Sequence, residues 1–489
     1  MDQIISLRPL LAVVVSLGVI PVLLSSGQRP NVREAWTFFA AICKFLLVLS
    51  MLPAVLQGRE FVLSLVAIAP GVSLAFKVDG LGMLFALVAS FLWIVTSVYS
   101  IGYMRSLQEH GQTRYFVFFA LALSATIGVA FSANLLTLYL FYELLSLATY
   151  PLVTHHQDQE ARISGRKYLI FILGTSIALV LPAMLICYHL TGTLDFNVQG
   201  IVSGEVSGPP LLVLLLMFVL GFAKAGIMPF HSWLPAAMVA PTPVSALLHA
   251  VAVVKVGVFS IVRVLTGIFG IDFLAAADLG TPVAWLASFT IIVASCIALS
   301  QDELKRRLAF STISQLSYIV LGVALLIPQG VLGGVIHIAM HAFGKITLFF
   351  CAGAIFVATG TKYISRMDGL GKRMPWTFGA FFVGSLGVIG LPPTGGFYSK
   401  WLLVLGTFDS GQLLFLGVLL LSSFLNGCYF LPIVYRAFFG TLQAPGEGGL
   451  QEAPACCLVP LLITAAVSVG LFVYPDLFVQ LVKTGLQLP

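Results

Sequence analysis

Long runs of hydrophobic residues, separated by short polar segments, occupy most of the chain. A helix that crosses the hydrocarbon core of a bilayer needs about 20 consecutive apolar residues, and the chain contains fourteen runs of roughly that length. The predicted membrane-spanning helices lie at 5–26, 34–57, 80–103, 115–132, 133–154, 164–190, 209–234, 243–267, 281–300, 306–327, 330–358, 376–403, 410–438 and 456–483. The pattern therefore predicts an all-α integral membrane protein with about 14 transmembrane helices.

Two apolar segments need separate interpretation. Residues 61–76 are apolar, but Pro70 and Gly71 divide them and the pattern alternates, which predicts a hairpin outside the membrane. The first run, from Ile4 to Ser25, lacks a basic start and a small-residue cleavage site. We therefore interpret it as a retained helix rather than a signal peptide.

The composition agrees with lipid as the main solvent. Of the 489 residues, 59% are hydrophobic and only 9% are charged, whereas soluble domains contain about 25% charged residues. The net charge of +6 does not come from one basic tract, so nucleic-acid binding is not expected. The seven cysteines lie in apolar runs without metal-ligand spacing, and no dinucleotide or haem motif is present. We therefore expect no cofactor, no metal site and no catalytic centre in this chain.

The loops between the predicted helices differ in their content of basic residues. One alternating set contains only Arg8, Arg59, Lys77, Arg263 and Lys483, whereas the other set contains most of the remaining lysines and arginines. Because cytoplasmic loops carry an excess of Lys and Arg, the basic set is expected in the cytoplasm. This predicts a multi-pass protein of a prokaryotic inner (plasma) membrane with both termini on the non-cytoplasmic side.

A further set of ionisable residues lies inside the predicted helices, where each charge costs at least about 2.5–3.5 kcal/mol on insertion. The set comprises Glu143, Lys224, Lys255, Lys345, Lys400, His249, His337 and His341. The last two histidines and Lys345 are spaced by four, so they share one helix face. Buried groups of these types exchange protons, and water between them would complete a path. We therefore predict proton translocation through this set.

Structural roles remain open for some of the polar residues. Lys44 lies near a helix end, where a lysine usually extends its ammonium group to the headgroups, and we predict a structural role for it. An alternative role for the buried histidines is to join neighbouring helices by hydrogen bonds. His155 and His156 follow a helix end in a basic loop, and we predict that both are solvated.

Two of the predicted helices contain residues that break a helix. The expected helix breaks are Pro229, Pro235, Pro392, Pro393, Gly395 and Gly396. The first two follow Lys224 and the others precede Lys400, so each broken helix carries a lysine. Broken backbone in lipid is tolerated only where it faces protein or a water-filled cavity, and matching breaks in two halves indicate a transport site.

The broken segments also predict an internal repeat. MPFHSWLP and GGFYSKWLL share an aromatic residue after a breaker, a serine and a Trp-Leu pair. They lie in predicted helices 7 and 12, which are five apart, so helices 4–8 and 9–13 would be two inverted five-helix repeats. The predicted organisation is 1–112 for helices 1–3, 113–268 and 281–440 for the repeats, and 441–489 for a C-terminal helix 14.

Four long motifs resemble a known family. KAGIMPFHSWLPAAMVAPTPVSALLHAVAVVKVG, DELKRRLAFSTISQLSYIVLG, HIAMHAFGKITLFFCAGAI and GLPPTGGFYSKW occur in this order. The chain resembles the antiporter-like subunits of respiratory complex I, of Mrp cation/proton antiporters and of membrane-bound hydrogenases over roughly residues 80 to 485. The PTPVSALLHA run looks closer to the Mrp-like and hydrogenase-linked members.

The resemblance implies fourteen helices, two inverted repeats and specific residue roles. The resemblance matches Glu143 to the family's glutamate on helix 5. It matches Lys224 to the helix-7 lysine with which that glutamate pairs. Lys255 matches the central lysine, and the helix-11 polar line is matched by His337, His341 and Lys345. Lys400 matches a terminal position that is glutamate in one complex I subunit, so the lysine here argues against that subunit.

Together these features predict a subunit that moves protons, with Na+/H+ exchange left open. Its expected partners are the lipid bilayer and other membrane subunits, which would supply redox or counter-ion energy. The parent complex, whether an Mrp antiporter, a hydrogenase or an NADH/quinone dehydrogenase, stays open. Three alternatives are a quinone-, flavin- or haem-binding redox subunit, a stand-alone transporter of a small solute, and a structural scaffold.

Overall fold

The computed structural model of the protein describes residues 2–202, 207–441 and 449–488. Helices form most of the described chain. In chain order they are α1 (Arg8–Gly18), α2 (Ile20–Ser25), α3 (Pro30–Leu49), α4 (Leu52–Leu56), α5 (Gly80–Ser106), α6 (Gln112–Ala130), α7 (Leu135–Val153), α8 (Gln159–Thr175), α9 (Leu181–Thr191), α10 (Pro209–Gly221), α11 (Trp233–Ala236), α12 (Thr242–Ala246), α13 (Val253–Val264), α14 (Ile271–Ala276), α15 (Gly280–Ser300), α16 (Leu304–Ala324), α17 (Pro328–Thr359), α18 (Pro375–Ile389), α19 (Gly395–Asp409), α20 (Leu413–Phe439), α21 (Ala455–Val473) and α22 (Asp476–Leu486).

Within the described ranges, 11 helical segments are long and apolar enough to cross a membrane. The prediction of a helical multi-pass membrane protein is therefore confirmed. The predicted spans at 209–234, 243–267 and 376–403 are not continuous helices, because irregular backbone interrupts each of them. The number of fourteen membrane crossings and the inverted repeats stay predictions.

The hairpin predicted outside the membrane is present as a small sheet. Strands β2 (Glu60–Ala69) and β3 (Val72–Val78) pair antiparallel across the turn at Pro70 and Gly71. A short strand, β1 (Gln3–Ile5), pairs parallel with the start of β2 and was not predicted. Its three residues give too little alternation to be recognised in a sequence.

The last predicted span, 456–483, is wrong as a single helix. It divides into α21 and α22 at Tyr474 and Pro475, where the proline has no backbone N–H to continue a helix. The second piece packs on the start of α5, and a Cβ atom on Gly80 would overlap the carbonyl oxygen of Leu481. The glycine therefore allows the two helices to touch through their backbones.

The central helices carry the polar residues. Most residues of α5, α16 and α17 are buried, whereas only a minority are buried in α8, α20 and α21. Helix α17 packs against α5, α16, α18, α19 and α21, which places it inside the bundle. Exposed side chains such as Ile170, Trp285 and Phe424 lie on the outer helices and suit contact with lipid.

One charged residue differs from its predicted placement. The sequence pattern predicts a loop position for Arg263, but it lies in α13, 4% exposed, and its guanidinium binds both carboxylate oxygens of Asp79 at 2.5 and 2.6 Å. Asp79 also caps α5 by accepting a hydrogen bond from the Gly82 amide at 2.9 Å. The buried pair therefore joins α13 to the start of α5, and a loop assignment from sequence could not anticipate it because the partner is 184 residues away.

Candidate functional site: a buried row of ionisable residues

Glu143 and Lys224 lie close together but are joined through a third side chain. Lys224 Nζ donates to the carbonyl oxygen of Tyr142 at 2.5 Å and to Ser146 Oγ at 2.7 Å. Ser146 Oγ in turn lies 3.4 Å from Glu143 Oε2. Among the described residues, the Lys224 ammonium and the Glu143 carboxylate do not form an ion pair within 4.0 Å. Ser146 was not predicted from the sequence, and it separates the two charged groups.

The helix break that holds Lys224 is stabilised by side chains. Helix α10 ends at Gly221, and a single 3-10 turn at Ala223–Ala225 follows. Trp233 Nε1 donates to the carbonyl oxygen of Ala223 at 3.0 Å, and the Lys224 amide donates to Tyr142 Oη at 3.3 Å. These contacts replace the helical hydrogen bonds that the break removes, which is a requirement for irregular backbone at membrane depth.

Helix α13 brings Lys255 near this break. Its Gly257 packs directly on the backbone between Lys224 and Ala225, where a Cβ atom would overlap main-chain atoms. Lys255 lies two residues earlier on the same helix and is 1% exposed. The glycine therefore sets the distance between the break and the helix that carries the next lysine.

Lys255, His341 and His337 form a continuous series of contacts. Lys255 Nζ lies 2.7 Å from His341 Nδ1. The rings of His341 and His337 stack with their centroids 5.6 Å apart. His337 Nδ1 lies 2.8 Å from Ser399 Oγ, and its Nε2 lies 3.1 Å from Gln315 Oε1. The series therefore runs from α13 across α17 to α16 and α19.

Lys400 ends this series at the second helix break. Its Nζ donates to the carbonyl oxygens of Val388 at 2.7 Å and Ile389 at 3.2 Å, which are the last residues of α18. It also lies 4.4 Å from the ring centroid of Tyr318, whose ring stacks with that of His337 at 5.9 Å. The carbonyl end of a helix attracts a cation, so the break holds the ammonium group beside the histidines.

The residues predicted as helix breaks occupy both interruptions. Pro229 lies between the 3-10 turn and α11, and Pro235 lies within α11. The second interruption contains Pro392 and Pro393, and α19 begins at Gly395 and Gly396. A Cβ atom on Gly396 would overlap the carbonyl oxygen of Gly387, so this glycine lets the two half-helices pack closely.

Two further predicted site residues, Lys345 and His249, lie on α17 and on the turn before α13. Lys345 is fully buried on α17 and donates to the Leu308 carbonyl oxygen at 3.2 Å. The backbone of His249 belongs to a π-helical turn at Leu247–Val251, but its side chain lies outside the described part of the molecule.

A third interruption, at Ala252 with φ −112° and ψ −81°, was not predicted because the sequence AVAVV contains no Pro or Gly.

The prediction that Lys44 reaches the headgroups is wrong. Its side chain is fully buried, and Nζ donates to Ser16 Oγ at 2.6 Å and to the Leu123 carbonyl oxygen at 3.2 Å. It also lies 5.1 Å from the ring centroid of Trp93. Helix α3 packs against α1, α5 and α6, so the lysine faces these helices instead of the membrane surface.

The prediction that both loop histidines are solvated is wrong for His155, which is fully buried. Burial lowers the pKa of His155 to about 4. His156 Nε2 lies 3.3 Å from Glu109 Oε1, and this hydrogen bond raises the pKa of His156. Glu109 and His156 line a cavity of about 630 Å³ together with Lys305. These residues were not part of the predicted translocation set.

Comparison with known proteins identifies the family. The sequence profile described as "NADH:quinone oxidoreductase/Mrp antiporter, TM" matches residues 132–426, and "NADH-Ubiquinone oxidoreductase (complex I), chain 5 N-terminus" matches residues 69–116. NADH-quinone oxidoreductase subunit N of Desulforudis audaxviator is 34% identical over 80% of this chain and 80% of its own length. One of the Na(+)/H(+) antiporter subunits of Bacillus subtilis is 32% identical over 94% of this chain but only 60% of its own length.

Solved structures share the fold over nearly the whole chain. A chain of the Mrp complex from Dietzia sp. matches with a TM-score of 0.84, 22% identity and 97% coverage of both chains. A chain of the membrane-bound sulfane sulfur reductase, an archaeal respiratory membrane complex, matches with a TM-score of 0.88 and 24% identity, covering 99% of this chain and 97% of that chain. With the profile match over more than half of its residues, this chain belongs to the NADH:quinone oxidoreductase/Mrp antiporter family of membrane proteins.

Proposed function

We propose that this chain is a proton-translocating, antiporter-like subunit of a multi-subunit membrane complex. The main support is the series of buried contacts from Lys255 through His341 and His337 to Lys400. Burying several ionisable groups in one bundle costs free energy, and such groups in membrane proteins mark ion pathways. Each group in the series can hold a proton and lies near a neighbour that can accept it.

In this proposal Glu143, Ser146 and Lys224 form the switch at one end. A negative charge on Glu143 stabilises the protonated ammonium of Lys224, and Ser146 holds the two groups at a fixed spacing. When the ammonium moves away or the carboxylate is neutralised, the proton of Lys224 is released toward Lys255. Water would bridge the interval between the two lysines, where Gly257 packs on the broken backbone.

The second helix break would form the other end of the path. Lys400 is held by the carbonyl oxygens of Val388 and Ile389, and Ser423 Oγ lies 3.3 Å from its Nζ. The inverted repeats would then give two half-channels that open to opposite sides of the membrane and meet at Lys255 and His341. We further assign Lys345 and His249 to the same path, on α17 and on the π-helical turn before α13.

The energy for translocation would come from other membrane subunits. Relatives and structural neighbours of the chain are subunits of oxidoreductases and of Na(+)/H(+) antiporters. In such a complex a redox reaction or a counter-ion gradient would change the charge near Glu143. We place the complex in the plasma membrane of a prokaryote, with both termini of this chain outside the cytoplasm.

Substitution of the switch residues tests the proposal. In proteoliposomes of the purified complex, Lys224→Ala and Glu143→Gln should abolish proton pumping, because each change removes one of the two charges of the switch. Lys483→Ala is the matched control, since Lys483 is an exposed lysine on α22 outside the path. Pumping at the rate of the control in both variants would reject these assignments.

A further inference from the structure

The loops between α5 and α6 and between α7 and α8 bring four potential metal ligands together. Single ligand atoms of Glu109, His110 and His155 all lie within 4.8 Å of one another. His156 joins them, with Nε2 3.3 Å from Glu109 Oε1. His155 Nε2 lies 3.8 Å from Glu109 Oε2, so the two oxygens of this carboxylate face different histidines. Two imidazoles and one carboxylate therefore share a small volume, and the imidazole of His156 lies at its edge through its contact with Glu109.

The unpartnered imidazole of His155 independently indicates that this volume binds a ligand. His155 is fully buried, yet neither of its ring nitrogens has a hydrogen-bond partner among the described residues. A buried polar group without a partner is unfavourable. The neighbouring groups leave one ring nitrogen aimed at the Glu109 carboxylate without closing to hydrogen-bond distance. A bound cation would satisfy both groups at once.

We propose that Glu109, His110, His155 and His156 form a binding site for a divalent transition-metal ion such as Zn2+. Imidazole nitrogens with one carboxylate are a donor set that suits Zn2+, Co2+ or Ni2+, whereas Na+, Mg2+ and Ca2+ prefer oxygen ligands. At Zn–N distances of 2.0–2.1 Å, tetrahedral ligand atoms are about 3.3 Å apart. Ligand atoms of Glu109, His110 and His155 already lie within 4.8 Å of one another and must move closer to reach that value. His156 must turn from its 3.3 Å contact with Glu109 to join them.

The surroundings also suit a divalent ion. The Glu109 carboxylate supplies negative charge, and Asp158 and Glu160 line the cavity that Glu109 and His156 open into. The nearby Arg114 donates to the backbone carbonyl of His155 at 2.7 Å, so that hydrogen bond does not occupy the imidazole nitrogens. His110 is exposed, which gives the ion a route from solvent.

Occupation of the site would connect two loops that are far apart in sequence. His156 and Glu109 are 47 positions apart, and this separation explains why no ligand spacing is visible in the sequence. An ion held by both loops would fix the end of α5 to the end of α7. The site therefore adds a metal-dependent contact to the fold, and it is independent of the proposed translocation path.

Cobalt absorption of the purified full-length chain tests the site. The protein should carry an affinity tag without histidine and be treated with chelator before titration with Co2+. We expect one Co2+ per chain with a tetrahedral visible spectrum, displacement by Zn2+ and no thiolate charge-transfer band from the free cysteines. His110→Ala and Glu109→Gln should each weaken binding at least about tenfold, and a given Zn2+ concentration should raise the unfolding temperature of the wild type more than that of either variant.

The control separates this site from unspecific binding. His189→Ala removes an exposed histidine at the end of α9, outside the cluster, and should bind Co2+ like the wild type. His110→Ala is the main variant because its side chain is exposed and its loss should not disturb packing. Equal Co2+ affinity in His110→Ala and the wild type, or a spectrum dominated by thiolate ligands, would overturn the proposal.

Discussion

The replacement of Ser146 by alanine removes the hydroxyl that links Lys224 to Glu143 and changes little else. The hydroxyl is fully buried, and its oxygen is the only described side-chain atom in hydrogen-bond contact with both charged groups. Alanine is the best helix former, so α7 keeps its shape. The variant therefore alters the proposed switch while it retains both of its charges.

The magnitude follows from the hydrogen bonds of Lys224. A hydrogen bond to a charged group contributes about 1.5–3 kcal/mol, and about 1.4 kcal/mol corresponds to a factor of ten in rate. Because Lys224 keeps the Tyr142 carbonyl oxygen as an acceptor at 2.5 Å, the lower end of this range applies. We expect the pumping rate of Ser146→Ala to fall by at least about tenfold.

The assay is proton uptake by proteoliposomes of the purified complex, normalised to the rate of the energy-supplying reaction. Ser97→Ala is the matched control, because Ser97 is a buried serine on α5 that donates only to its own helix, at the Trp93 carbonyl oxygen. Ser146→Thr, which restores a hydroxyl, should recover part of the activity. If Ser146→Ala pumps as fast as Ser97→Ala, the proposed relay is refuted.

Three further substitutions test how the path is held in place. Gly390→Ala should lower the unfolding temperature and the pumping rate, because φ is +90° there and the new Cβ would lie 2.5 Å from Lys400 Cδ; an unchanged melting curve would contradict this. Asp79→Asn should destabilise the protein by about 3–5 kcal/mol, since it leaves Arg263 buried without a counter-charge, and chemical unfolding measures the loss. Trp233→Phe should cost about 1–3 kcal/mol, because it removes the N–H donor to the first helix break; native-state hydrogen exchange would detect the loosened segment.

Much of the fold follows from the length of the apolar runs and from helix breakers. The bilayer thickness fixes the length of a spanning helix, so most predicted spans coincide with helices in the structure. Within the candidate site, prolines and glycines mark two of the three interruptions, and the lysines beside them stand out because a charge in lipid is rare. The chain around Ala252 contains no such marker, which is why its interruption was missed.

The contacts of the site were less predictable, because they depend on tertiary packing. Lys44 and His155 look like surface residues in sequence, yet neighbouring helices and loops bury both completely. Ser146 carries no charge and resembles any serine in a helix, so only its place between Lys224 and Glu143 reveals its importance. The sequence shows which side chains are costly to bury, whereas the structure shows which partners those side chains contact.

Proton pumping by the Lys255→Met complex tests the central claim most directly. Lys255 lies between the first helix break and the two histidines, and methionine keeps the apolar length of the side chain while it removes the ammonium group that contacts His341. We predict that pumping per energy-supplying turnover falls at least about tenfold, because the series of proton carriers loses its central member. Pumping at the wild-type ratio of protons to turnovers would contradict this claim.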